Sequence, residues 1–159
     1  MQYRSILVEF DPDNQELQNF KIRTLVLQNH KTLTTDKVSK SVKTIIAPKL
    51  EILGYEALCD CSVQSIISNS ITKASVSACQ NCLFLKNINT RKMKLIASNA
   101  FYGCFKLEKV VNNIVDQVGE EAFQKCCSLK QLQLKNLKTL DMKHISSSYI
   151  DELHIPNVT

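Results

Sequence analysis

The chain has no tryptophan, only three glycines and three prolines in 159 residues, and just 6% aromatic side chains. Each shortage excludes something. With so few rings to stack on bases, the usual platform for single-stranded nucleic acid is missing, despite a formal net charge of +5. Scarce Gly and Pro give no Gly-rich phosphate loop and no flexible linker, so a single domain over residues 1–159 is expected. No stretch approaches the roughly 18 consecutive apolar residues of a membrane span. The opening MQYRSILVEF has too short an apolar run for a signal peptide, and Glu9 interrupts it. These absences lead to the expectation of a cytoplasmic protein. Hydrophobic residues still reach 44%, enough for a core.

What is present is an echo. SNAFYGCFKLEKVV at 98–111 is followed by GEEAFQKCCSLKQL at 119–132 with the same Ala-Phe-x-x-Cys-x-x-Leu spacing. Behind it lies a frame of an apolar residue, two free positions, a second apolar residue, one free position and a third inward site. The frame starts at Tyr3, Ile22, Val42, Val63, Leu85, Leu107, Leu129 and Ile150, in steps of 19, 20, 21, 22, 22, 22 and 21. A period this steady marks a stack of repeats that bury a continuous core. The alternating frame suits a strand of about five residues with one face buried. A connection follows with a second apolar site (Leu53, Ala74, Ile96, Val118, Leu140). Next comes a pair of slots, Ala57, Ala78, Ala100, Ala122 and His144 before Leu58, Cys79, Phe101, Phe123 and Ile145. Small beside large fits a short helical turn packed closely on the strand layer. Strands reached through such a return lie parallel.

Cysteines close each turn at Cys61, Cys82, Cys104 and Cys126, with Ser148 next, one rung per repeat. Cys is a small, usually buried hydrophobe, so this ladder is read as structural. Cys79 and Cys82 have zinc or redox spacing, but the repeat assigns both to inward positions, and no metal or other cofactor is expected. Cys59 and Cys127 fall outside the inward slots and are expected to be the reactive thiols. His30, His144 and His154 have no evident thiol partner and the carboxylates form no singled-out pair, so no enzyme is expected.

The units LIASNAFYGCFKLEKVV and QVGEEAFQKCCSLKQLQL, with HIPN near the end, resemble the BspA-like class of leucine-rich repeats. The match is sharpest between Leu95 and Leu132 and recognisable across 50–148; residues 1–49 keep only the strand frame, and 149–159 form an incomplete last repeat. The resemblance implies an α/β fold: a right-handed, horseshoe-like solenoid of about eight strand units, with a parallel concave sheet and short helical turns on the convex side. It implies a recognition or adhesion surface and no reaction, and it adds a cell-surface location reached by a non-classical route as an alternative.

In each frame the residue between the last two inward positions points out of the sheet. Leu7, Val26, Ile46 and Ile67 are aliphatic there, followed by Asn89, Val111, Gln133 and His154. Exposed aliphatic residues on neighbouring strands mark an interaction surface. Beside them runs a cationic edge of Arg4, Arg23, Lys43 and Lys86. The bland reading is that β-branched residues favour strands and the cations solubilise. The functional reading is a concave groove, apolar in its N-terminal half with a basic flank, that holds an unknown protein ligand whose bound segment carries both apolar and acidic groups. The alternative is self-association or adhesion through uncapped solenoid ends, giving a homo-oligomer.

Overall fold

The computed structural model describes residues 22–34 and 38–158, and the backbone of Ile6–Leu7. One column of parallel strands follows the frame: β1 (Ile6–Leu7), β2 (Thr24–Val26), β4 (Thr44–Ile46), β6 (Ser65–Ile67), β8 (Asn87–Ile88), β10 (Lys109–Asn112), β11 (Gln131–Leu134) and β12 (Glu152–His154). Pairing keeps the frame in register, with Leu25 beside Ile45 and Ile45 beside Ile66, and Val110 beside Leu132 and Leu132 beside Leu153. Inward frame residues such as Leu25, Ile45, Ile66, Val110 and Leu132 are buried because a strand sends alternate side chains to one face. The column divides into sheets β1-β2-β4-β6-β8 and β10-β11-β12.

A second parallel sheet stands on the second apolar site: β3 (Thr32–Leu33), β5 (Ile52–Leu53), β7 (Lys73–Ala74) and β9 (Leu95–Ile96), extended by a bridge from Ile96 to Val118. Each strand has two residues and one inward side chain, too short to show a period of two in the sequence. At Gly119, just past this bridge, a Cβ would lie 2.2 Å from the Ser98 nitrogen, so the backbones approach closely enough to require glycine.

Four of the return turns contain no helix, where short helical turns were expected. Each carries two residues with positive φ four apart, Glu56 and Asp60, Ser77 and Asn81, Asn99 and Gly103, Glu121 and Lys125, all between 49° and 68°. Left-handed residues at this spacing rotate every second N–H out of the turn. Thus Ala78, Gln80 and Cys82 donate within their own turn, to the carbonyls of Ser75, Ser77 and Cys79. Between them Cys79 and Asn81 donate across to the carbonyls of Ala100 and Tyr102 in the next repeat, at 2.8 Å each. The same alternation runs through Leu58 to Ala78, Phe101 to Ala122 and Phe123 to His144. A helix would keep every interior N–H inside the turn; these turns spend half of them joining repeats.

Among the described residues the only helical segment is a 3-10 turn at Met142–His144, capped by Asp141 and His144. It falls where His144 replaces the small residue of the pair. The coil makes about six turns with almost no helix, where about eight strand units were expected. Its core is the shared column, with Phe101 and Phe123 stacked at 5.6 Å between ring centroids and 1° between planes.

The cysteines at the turn ends make polar contacts that spacing alone does not reveal. Each rung donates to the carbonyl of the large slot one turn back: Cys82 Sγ to Leu58 at 2.7 Å, Cys104 to Cys79 and Cys126 to Phe101 at 3.2 Å each. Ser148 Oγ makes the same bond to Phe123 at 2.7 Å, which explains serine at a cysteine position. Cys61 reaches Val38 at 3.8 Å and is only half-buried, a departure from the expected fully buried rung. Burial pushes the Cys61 and Cys126 thiols up to about 12. Hydrogen bonding with Cys79, and then burial, raises Cys82, and burial raises Cys104.

Candidate functional site

Of the sequence-derived face residues, Arg4 lies outside the described residues, and Leu7 sits in β1 with its side chain outside them. Val26, Ile46 and Ile67 align in register across β2, β4 and β6, so the structure brings the aliphatic column together. Val26 and Ile46 are half-buried, whereas Ile67 is 52% exposed. The cationic edge is partly committed to neighbours. Lys43 Nζ stands 5.5 Å over the Phe84 ring and 3.5 Å from the Ser62 carbonyl, and Lys86 pairs with Glu108 at 3.0 Å. Arg23 is exposed.

A recess on this face begins at Ile67 and runs toward the later strands. A hollow of about 430 Å³ is lined by β6, β8 and the loops after them, including Ile67, Asn69, Lys86, Asn87, Asn89, Arg91 and Lys109. A second, of about 400 Å³, is lined by Arg91, Lys109, Val111, Asn113, Gln131 and Gln133. Arg91, Lys109 and Val111 line both, making one continuous groove over β6, β8, β10 and β11. Amide pairs hold its walls: Asn89 Nδ2 donates to Asn69 Oδ1, and Gln133 Nε2 to Asn113 Oδ1, both at 2.9 Å.

The groove floor is set by an unusual interior. The third inward site of the frame is apolar at Leu27, Ala47 and Leu134, yet Ser68, Thr90 and Asn112 occupy it in the middle repeats and are buried. Thr90 Oγ1 accepts from the Val111 N–H at 3.2 Å and donates to the Val111 carbonyl at 3.0 Å. One hydroxyl thus replaces the backbone ladder where β8 and β10 part. Asn112 uses its full capacity: Nδ2 donates to the Thr90 and Met93 carbonyls, each at 2.7 Å, and Oδ1 accepts from Ile114 and Val115 at 2.7 and 2.8 Å. These bonds make a polar residue tolerable in the core.

Arg91 and the hub it forms with Lys109 were absent from the sequence-derived face. Arg91 stands one position past the third inward site, in a column reading Gln28, Pro48, Asn69, Arg91, Asn113, Lys135 and Pro156. Reading that column beside the strand columns would have found it.

Elsewhere, Cys79 and Cys82 are both buried where the repeat assigned them, Cys127 is exposed, and Cys59 is half-buried. Burial, with Asp60 beside it, pushes the Cys59 thiol up to about 11, so Cys127 alone combines exposure with an open path to reagent. Among the described residues no helix is long and apolar enough to cross a membrane.

Stacked coils, parallel ladders and one core column define the class: a parallel-sheet β-solenoid repeat protein. The chain belongs to the BspA type leucine rich repeat region family, whose profile matches in six copies over residues 14–129 and 51–159. No curated protein and no solved structure matches it. The repeat family suggests a repeat-based interaction module, of a kind that is typically non-enzymatic.

Proposed function

We propose that this chain is a non-enzymatic protein-recognition module that binds its partner on the outer face of the main sheet. The observation that carries this reading is the continuous groove over β6, β8, β10 and β11, with Ile67 exposed at its start. Solvent-facing strand positions are free to vary without disturbing the core, so a repeat stack can build a contact surface there. The half-buried Val26 and Ile46 extend the apolar contact toward the earlier repeats.

The test is recovery of partners from native lysate by wild type and by Val26→Glu/Ile67→Glu, with circular dichroism confirming that both fold. A protein retained by wild type and lost by the variant supports the face; identical recovery from both moves the site elsewhere. Self-association is a second reading, favoured by Leu153, a frame residue left 46% exposed on β12. Light scattering that gives a monomer mass at every concentration would rule it out.

A further inference from the structure

We infer that the partner presents an extended acidic peptide segment, whose carboxylates are received by Arg91 and Lys109; this rests on the recognition face proposed above. The two hollows together contain Lys86, Arg91 and Lys109 and not one Asp or Glu. Lys86 is neutralised by Glu108 at 3.0 Å. The side chains of Arg91 and Lys109 have no carboxylate partner among the described residues, although they sit on the border shared by both hollows. Two uncompensated cations in a recess raise the local positive potential and select anions.

The remaining lining narrows the class of anion. The amide nitrogens of Asn69, Asn87 and Asn113 make no hydrogen bond with the described residues, because the pairs Asn89 to Asn69 and Gln133 to Asn113 use only the oxygens of Asn69 and Asn113. They are donors suited to peptide carbonyls, and the Arg91 guanidinium matches a carboxylate in a two-point contact. Ile67 and Val111 supply aliphatic contact. No aromatic side chain lines either hollow, so bases and sugar rings have nothing to stack on. Crossing from β6 to β11 covers three strand spacings of about 4.8 Å, the reach of about four extended residues. The occupant is thus a short acidic stretch with an aliphatic residue at the Ile67 end.

Selection from a random dodecapeptide display library on the immobilised protein tests this. Wild type should enrich Asp and Glu flanked by an aliphatic residue, and R91E/K109E should lose that consensus or shift it toward Lys and Arg. The best acidic peptide, measured by fluorescence anisotropy, should bind R91A/K109A about tenfold more weakly and should weaken with added salt. Both side chains are exposed, so unchanged circular dichroism melts will confirm that the variants fold. A neutral or basic consensus, or no enrichment, would overturn the inference. So would an acidic consensus retained by R91E/K109E, or a single-stranded oligonucleotide that displaces the peptide at equal concentration. A consensus indifferent to R91E/K109E but lost with Ile67→Glu would leave the recognition face standing without its acidic ligand. One indifferent to all of these would remove both.

Discussion

On the strand side of each coil, the repeats are joined by backbone ladders that need only extended chain and an inward apolar residue at every second position. On the turn side the same joining depends on left-handed residues, glycines at close approaches and a thiol donated to the preceding turn. The strand side therefore leaves its outward positions open to sequence change, and that is where the groove lies. The turn side fixes its sequence for structural reasons, which is why its motif is the visible one. A strong repeat motif marks where the fold is constrained, not where a partner is held.

The sharpest separation of the two sides comes from one substitution on each. Gly119→Val forces a Cβ to within 2.7 Å of three backbone atoms of Ala97 and Ser98. Urea denaturation should show a loss of about 4 kcal/mol or failure to fold, the range reserved for core overpacking and backbone conflict. Ile67→Glu on the open face should stay within about 0.5 kcal/mol of wild type. Similar losses from both would break the comparison.

Asn112 is the place where the strand side imitates the turn side, since a side chain holds the repeats together there. Asn112→Leu keeps the branched shape but leaves the Met93 carbonyl and the Ile114 and Val115 N–H groups without the partner that Asn112 supplies, while the Thr90 carbonyl keeps the Met93 N–H at 3.1 Å. A loss of about 3 kcal/mol is expected in urea, because buried groups left without partners cost more than the bonds themselves returned. A loss below about 1 kcal/mol would mean that water reaches these groups and the groove floor is looser than the structure describes.

How much of this was legible follows from the same division. Period, register and core were readable because Leu25, Ile45, Ile66, Val110 and Leu132 recur at one frame position and burial leaves them little choice. The cysteine rungs were readable as inward, but not their bonds to the carbonyls of Leu58, Cys79 and Phe101, since composition does not say where a thiol points. The pair of small and large slots was read as helical because close packing looks alike in a helix and in a stack of left-handed turns. Only φ distinguishes them, and residues such as Glu56, Glu121 and Lys125 give no hint of a positive value. Arg91 and Lys109 escaped for a different reason. They lie in two different columns of two successive repeats, and only the groove puts them on one border.

The thiol ladder ties the turn side to pH. Burial raises Cys126 from its ordinary value to about 12, so in the window from about 9 to 12 the unfolded chain sheds this proton while the folded chain keeps it. The stabilisation from a protonated thiol is complete below about 9 and is lost as pH climbs toward the folded value. Between pH 8 and 10 the one group accounts for about 1.4 kcal/mol. Cys126→Ser, which copies the Ser148 bond to a carbonyl one turn back, should remove that share of the alkaline loss while changing stability little at pH 7. Parallel curves for the two proteins from pH 8 to 10 would show that the thiol titrates alike folded and unfolded.

The smallest expected effect tests the left-handed turns themselves. Asn81, Gly103, Lys125 and Ser147 form one column, all with φ between 55° and 68°. A residue with a Cβ pays for this conformation, whereas glycine adopts it without steric cost but loses more freedom on folding. At Ser147, exposed and making no side-chain hydrogen bond among the described residues, relief of the left-handed strain outweighs the lost freedom, and Ser147→Gly should raise stability by about 0.5 kcal/mol. The reciprocal change, Gly103→Ala, adds strain at φ +68° and sets a Cβ 2.7 Å from Asn81 Oδ1, for a loss of about 1 kcal/mol. Opposite signs in one column, read from paired urea midpoints, locate the cost in the backbone rather than in any contact. Losses at both sites would mean that side chains, not left-handed φ, carry the turn stack, and the contrast between the two sides of the coil would narrow to the thiols alone.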